Sequence, residues 1–402
     1  MENPLDGKAL SAQALKTLVT DGTPAGHHLV YLPVGLGTPS SNRELANAVA
    51  SLANAHGGLV VLGVETDGDR PRKLAGLGSG DPESDREEVR RTLTERIRPT
   101  VDAHVTVVRI AGGRHTLVIE VPPSLDAPHH VDGVYPQRSG RETVVMTAAE
   151  IDRVRAYRRS VLEGLRARAL TLADAAQHNR IVRVKAGSVG LYLYVASVPH
   201  TLWGREVELA SGDANLPGLQ VLRGVVGEAI ELRHTHYGAL GTRLDARRES
   251  AEELAYISRR GELLHGLPDM RPFGGKVGDG FCVNVDGLQR NILDALPRNL
   301  VRLMDLGFAP PLYVALVGGG ETTHVSFGDG ARCGYPSNPK ELVIEALLPL
   351  ASLRTMSLPG NDEPSAGAYY EKLARPIRPL LDRLFQAAGL VSPWTRRFDE
   401  SS

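Results

Sequence analysis

Apolar positions in the first third of the chain switch between helical spacing and short unbroken runs. Leu45, Val49 and Leu52 recur at near-helical spacing behind Ser41 or Asn42, either of which can cap, so a helix is predicted over 43–55. Asn54 and His56 wind it down, and Gly57-Gly58 end it. The run at 59–64, LVVLGV, is apolar and β-rich and closes at Asp67-Gly68. Its continuity predicts a central strand covered on both faces.

Flanking segments extend the pattern. Residues 1–20 read as one helix with Leu10, Leu15 and Leu18 on a face, and 28–34 as a strand. The stretch 35–41, rich in Gly, Ser and Pro, reads as a loop. Residues 81–98 predict a charged helix capped by Ser84, with Val89, Leu93 and Ile97 as its stripe. Residues 101–110 and 116–121 read as a hairpin around Gly112-Gly113. Segments 134–138 and 143–146 complete a mixed sheet, and Thr147 opens a helix with Glu150 at the capping-box position. Val154, Val161, Leu165 and Leu172 then thread an Arg-rich helical linker over 156–188.

The second half predicts strands at 190–198, around Gly227 within 219–236, at 281–285 and at 312–317. Helices are expected within 245–258, over 286–304, and over 367–388 with an interruption near Pro376 and Pro379. Residues 274–280 read as a loop. The fold class is α/β of the mixed α+β kind: a domain over 1–155, the linker, and a second α+β domain of unassigned role over 189–402.

Composition narrows the function classes. A chain of 402 residues, 42% hydrophobic and 23% charged, can bury a sizeable core and suggests two or three domains. Aromatics are only 5%, which disfavours a long base-stacking channel. Net charge is −1, so a nucleic-acid surface must be local. Cys282 and Cys333 are far apart and outside any CxxC, which fits a reducing cytoplasm and excludes a zinc ribbon. No apolar leader and no span of 18 apolar residues is seen, so neither signal peptide nor membrane segment is expected. Richness in Arg, Ala, Gly and Val suggests a GC-rich bacterial gene.

Four motifs in order carry a family resemblance. They are Leu52-Ala53-Asn54-Ala55-His56-Gly57-Gly58 followed by Leu62-Gly63-Val64-Glu65-Thr66-Asp67-Gly68; Ile97-Arg98-Pro99; Val118-Ile119-Glu120-Val121-Pro122-Pro123-Ser124; and Gly133-Val134-Tyr135-Pro136-Gln137-Arg138-Ser139-Gly140. Over about 10–155 the chain resembles the Schlafen-type AlbA-like domain, also described as a divergent AAA-like ATP-binding or DNA-binding domain of bacteria. The resemblance implies a mixed sheet with packed helices and nucleic-acid binding, to DNA or RNA. Nuclease-competent members carry two carboxylates and a lysine on the strand before the helix. Here Gly26, Tyr31 and Pro33 stand at those positions, and only Glu65 remains at the third acidic one. One carboxylate cannot hold a divalent ion against a scissile phosphate. The resemblance therefore points to a non-enzymatic domain with no catalytic residue and no metal, Glu65 being a weak metal candidate. ATP or Mg²⁺ enters only by family analogy.

Other chemistry is thin. The glycine stretches at 35–37, 76–80 and 318–323 lack the GK[ST] of a phosphate loop and read as turns. The pairs His27-His28, His129-His130 and His234 with His236 lack a partner cluster of metal-ligand spacing. Ser79, Ser139 and Ser188 lie outside any G-x-S-x-G. The functional case rests on cations: Arg90, Arg91, Arg138, Arg141, Arg158 and Arg159, with Tyr135 beside the turn. Guanidinium groups pair bidentately with phosphates. The competing reading is a solvated face balanced by Glu87, Glu88, Glu95, Glu142 and Glu150.

The expectation is a cytoplasmic nucleic-acid-binding protein with a degenerate Schlafen-like domain, serving a regulatory or defence complex. One alternative is a metal-dependent endonuclease or endoribonuclease drawing on Asp21, Glu65, Asp67 and Asp69. The other is an assembly subunit with protein partners or a homo-oligomer.

Overall fold

A computed structural model describes residues 11–33, 37–78, 80–207, 209, 216–219, 230–247, 249–270, 274–277, 280–320, 325–328, 342–356 and 366–390. The predicted Gly35-Leu36 loop, Ser79, Gly227, Cys333 and the first ten residues lie outside these. The chain divides into two compact units, Met1–Leu162 and Glu163–Ser402.

The first unit runs α1 (Ala12–Thr20), β1 (Leu29–Leu32), α2 (Pro39–Asn54), β2 (Gly58–Leu62), β3 (Val64–Asp67), β4 (Arg70–Leu74), α3 (Pro82–Arg96), β5 (Ile97–Arg98), β6 (His104–Arg109), β7 (His115–Val121), β8 (His130–Val131), β9 (Pro136–Ser139) and β10 (Glu142–Val145). The helix α4 (Ala148–Gln177) starts here and continues past the unit boundary. The main sheet has the order β1-β2-β7-β6, with β1 and β2 parallel and the other pairs antiparallel. The predicted central strand is central: Leu59, Val60 and Val61 are all buried, each between a parallel and an antiparallel neighbour. Val60, Leu62, Leu117 and Ile119 pack with Leu45, Val49 and Leu52 of α2 and with Val89 and Leu93 of α3.

Several boundaries move for local reasons. The helix α2 starts at Pro39, not 43, because Thr38 accepts from the Ser41 N–H and Pro39 supplies the fixed φ of a first helical turn. Asp81, not Ser84, caps α3. Gly63, at φ +78, ends the apolar strand, and Val64 begins a separate hairpin, β3–β4. The β9 and β10 strands do not join the main sheet; they pair only with each other. Thr147 and Glu150 close the expected capping box: the Glu150 carboxylate accepts from the Thr147 N–H at 2.7 Å.

Gly57 and Gly58 answer to steric need. Both have positive φ, and a Cβ on Gly58 would stand 2.3 Å from the His28 carbonyl oxygen. A Cβ on Gly57 would stand 2.6 Å from the Val121 carbonyl oxygen.

The second unit contains β11 (Val189–Ser197), α5 (Val198–Trp203), β12 (Leu216–Leu219), β13 (Ile230–Thr235), β14 (Gly238–Leu244), β15 (Ala251–Ser258), β16 (Glu262–Leu267), β17 (Gly274–Val277), β18 (Gly280–Asn284), α6 (Val285–Asp305), β19 (Leu312–Gly320), β20 (Val325–Gly328), β21 (Val343–Leu348), α7 (Leu350–Arg354), α8 (Ala366–Ala374) and α9 (Arg378–Ala387). Eight strands form one sheet in the order β12-β13-β14-β15-β16-β11-β19-β21. A three-stranded sheet has the order β17-β18-β20. Leu191, Leu193, Val195, Val314 and Leu316 join Leu288, Ile292 and Leu296 of α6 and Leu381 and Leu384 of α9 in the apolar core.

Tyr192, Tyr194 and Tyr313, in alternation with those core residues, take the other side of the sheet. Their hydroxyls meet polar partners: Tyr192 donates to Gln177 Oε1 at 2.5 Å, Tyr194 to Glu262 Oε1 at 3.0 Å, and Tyr313 to Glu345. Arg168 and Arg166, on the part of α4 within this unit, pair with Glu262 and Glu345 respectively. Burial pushes all three phenols above their ordinary range.

Three expectations here are corrected. Residues 251–258 are a strand, not part of a helix; Glu253 points inward and pairs with Arg243 at 2.6 Å and His265 at 2.8 Å. Gly318-Gly319-Gly320 end the buried strand β19 instead of forming a loop, and 274–277 are strand β17. Cys282 is disulfide-bonded. The final helical region breaks at Pro376 as expected, where a 3-10 turn joins α8 to α9.

Candidate nucleic-acid interface

An open groove of about 1090 Å³ runs across the first unit. The strand β1 supplies Val30, Tyr31 and Leu32, and the first turns of α2 supply Ser40, Arg43, Glu44 and Asn47. The β3–β4 turn adds Asp69, and the β9–β10 turn adds Arg138, Arg141, Glu142 and Thr143. Arg43 and Asn47 are one helical turn apart, as are Ser40 and Glu44, so α2 shows one polar face to the groove. Its other face, with Leu45, Val49 and Leu52, is buried in the core.

Of the seven residues selected from the sequence, only Arg138 and Arg141 line this groove. Arg138 does not project freely from its turn. It is 8% exposed; its Nε donates to the Gly26 carbonyl at 2.9 Å and a terminal nitrogen to the Leu29 carbonyl at 3.4 Å. Burial lowers its pKa from the ordinary arginine value. Its guanidinium thus fastens β9 to the edge strand β1. Arg141 is exposed and pairs with Asp69 at 3.2 Å.

The others are dispersed over the unit. Arg158 is buried and donates to the Ala55 carbonyl at 2.6 Å; burial pushes its pKa down to about 10, so it stays protonated at neutral pH. Arg90, Arg91 and Arg159 are exposed, with Arg91 paired to Glu88 three residues earlier. Tyr135 is half-buried, its ring edge-on to His130 at 5.3 Å. Arg43 was missed. It is exposed and reaches Asp132 at 3.5 Å; the sequence signal was its place on the polar face of an amphipathic helix.

The nuclease positions are also clear. Tyr31 is buried, donates its hydroxyl to the Thr23 carbonyl at 3.0 Å, and is pushed up to about 12 by burial. Glu65 is exposed, lies 3.9 Å from Lys73, and is not among the groove's lining residues. Among the described residues, no three His, Cys, Asp or Glu side chains are grouped to hold a metal ion.

The histidine at 129 and Asn54 are structural. Asn54 Nδ2 donates to the His129 and Pro136 carbonyls at 2.8 and 2.7 Å, and its Oδ1 accepts from the His129 N–H at 2.6 Å. The asparagine of the Leu52-to-Gly58 motif therefore ties α2 to the chain leading into β8 and β9.

Comparison with known proteins bears on the first unit. Residues 36–147 match the Schlafen AlbA_2 family model, and this part of the chain is a Schlafen/AlbA-like domain. Among solved structures, the DIP2311 protein of Corynebacterium diphtheriae is 18% identical, over 36% of this chain and 28% of that one, with a TM-score of 0.27. The N-terminal domain of a putative ATP-dependent DNA helicase RecG-related protein from Nitrosomonas europaea is also 18% identical, over 35% of this chain and 94% of that one, with a TM-score of 0.27. No curated protein matches the chain. No described helix is long and apolar enough to cross a membrane.

Proposed function

We propose that the first unit binds nucleic acid, DNA or RNA, by its phosphate backbone along the α2 groove, without cleaving it. The observation that carries this reading is that two exposed arginines, Arg43 on α2 and Arg141 in the β9–β10 hairpin, both inside the Schlafen AlbA_2 match, line one groove. Ser40, Asn47 and Thr143 add neutral hydrogen-bonding groups to the lining. Both arginines pair with exposed or half-exposed acids, Asp132 and Asp69, and such pairs exchange readily for phosphate because surface ion pairs are worth only about 0–1 kcal/mol. Arg159 and Arg90 supply further exposed charge outside the groove.

The non-catalytic part rests on Tyr31 and Pro33 at the nuclease positions and on Glu65 paired with a lysine. Binding of labelled single-stranded DNA, duplex DNA and RNA, followed across a salt series with the intact chain, tests the reading. A parent protein that binds none of them at low salt would remove it. A second reading has its own observation. Val144 and Val145 on β10 are 39% and 67% exposed beside the groove, which suits a protein partner.

A further inference from the structure

We propose that the cleft between the Lys185–Ser188 turn and strand β17, in the second unit, binds a phosphate-bearing small molecule of nucleotide size. The cleft has a volume of about 560 Å³, within the 300–1,000 Å³ usual for small-ligand sites. Lys185 stands on one wall and Lys276 on the other. Both are exposed at its rim, and neither forms an ion pair among the described residues.

The wall that carries Lys185 is held in place. Ser188 Oγ donates to the Lys185 carbonyl at 2.8 Å, and Gln177 Nε2 donates to the Ser188 carbonyl at 3.0 Å. Gln177 is itself buried and fixed by the Tyr192 hydroxyl. The lysine therefore projects from a turn pinned to the core, which cuts the ordering cost of binding. The Met270 N–H donates to the Val189 carbonyl at 2.9 Å and anchors the chain just after Asp269, another lining residue.

The opposite wall is backbone-rich. Among the described residues, the strand β17 pairs on one side only, with β18, and three of its four residues line the cleft. Gly187, Gly274 and Gly275 line the cleft, and a Cβ on Gly187, at φ +70, or on Gly275 would meet no atom within 4 Å. Glycines of this kind let peptide N–H groups approach phosphate oxygens. Phe281 contributes an apolar surface at the base. Two ammonium groups, accessible backbone and one aromatic wall suit an anionic head on a compact organic body. A peptide added to the β17 edge would leave the paired lysines without a purpose.

Isothermal titration calorimetry on the full chain, with ADP, pyrophosphate and adenosine as probes, tests the assignment. ADP or pyrophosphate should bind with one-to-one stoichiometry, and adenosine should bind at least about tenfold more weakly than ADP, since charge-assisted contacts are the strong ones. Lys185→Ala with Lys276→Ala should weaken phosphate binding by at least about tenfold. Gly275→Leu keeps the charge but fills the cleft, since a Cβ at that position would have no neighbour within 4 Å and its φ is not in the left-handed region. It should abolish binding. Arg43→Ala with Arg141→Ala should leave ADP affinity unchanged, which separates this cleft from the groove of the first unit. Equal ADP affinity in the double-lysine variant, adenosine binding as tightly as ADP, or no heat from either phosphate probe at millimolar concentration would each overturn the proposal.

Discussion

Arg158 donates to the Ala55 carbonyl at 2.6 Å, so a residue on α4 closes the C-terminal end of α2 more than a hundred residues earlier in the chain. The last carbonyls of a helix lack intrahelical donors and carry the negative end of its dipole, which favours a cation there. An arginine selected from the sequence for phosphate contact thus turns a terminal nitrogen to the fold.

Removing that donor should cost stability and leave binding unaffected. Arg158→Ala is expected to destabilise the first unit by about 2 kcal/mol, the usual worth of a hydrogen bond to a charged group. Chemical denaturation should read this as a lower midpoint at unchanged slope, with nucleic-acid affinity as in the parent. A binding loss without a stability loss would return Arg158 to the interface.

Arg138 and Arg141 should separate in the same way. Arg138→Ala frees the carbonyls of Gly26 and Leu29 and is expected to destabilise by about 1–3 kcal/mol. Arg141→Ala should stay within about 0.5 kcal/mol of the parent, as exposed substitutions do. Denaturant midpoints of the two single variants, measured side by side, check this.

Affinity should follow the exposed pair in the groove. Arg43→Ala with Arg141→Ala is expected to weaken binding to all sequences alike. It should also flatten the dependence of log affinity on log salt by up to about two on duplex DNA. An unchanged slope would leave these arginines as solvated charges and favour the protein partner at Val144 and Val145.

Asn54 should prove the costliest polar position in the first unit. Asn54→Ala leaves the His129 N–H and two carbonyls without their partner inside the fold. A loss of about 2–4 kcal/mol is expected by thermal or chemical unfolding, as buried groups left unpaired pay their full desolvation. A loss near zero would mean that water reaches the site.

His129 gives the pH dependence its sign. Burial holds its pKa below the ordinary 6.5, against the opposing hydrogen bond to the Pro99 carbonyl and the charge of Asp126, while Arg158 and His130 lower it further. The unfolded chain takes up a proton that the folded one refuses. Stability is therefore full above the unfolded value and falls as pH drops from there through the folded value. The slope from this group is at most about 1.4 kcal/mol per pH unit. His56 shifts in the same direction. Denaturation midpoints measured from about pH 8 to about pH 5 should decline less steeply in His129→Gln.

The sequence made the central sheet legible because the relevant forces were local. The run at 59–62 is buried on both faces, and only such a strand tolerates unbroken apolar residues. The capping box at Thr147 was readable for the same reason. The strand at 251–258 was not. Its Glu252, Glu253 and Leu254 favour helix, and what overrides them is Glu253 meeting Arg243 and His265 from neighbouring strands. The placement of the selected arginines was not legible. Charge can be read from a sequence, whereas the carbonyls that Arg138 and Arg158 reach lie 112 and 103 residues away. Arg43 escaped notice because the groove it lines is completed by a hairpin about a hundred residues later.

Gly57 and Gly58 set a limit on how this domain can vary. With 2.3 Å between a would-be Cβ and the His28 carbonyl oxygen, there is no room for even one methyl group. Any side chain at Gly58 would wedge β1 away from β2, and β1 is the floor on which the groove is built. The seat of the groove is thus fixed from behind, by one absent carbon. Drift among the groove's own residues can change what it holds while leaving its seat intact.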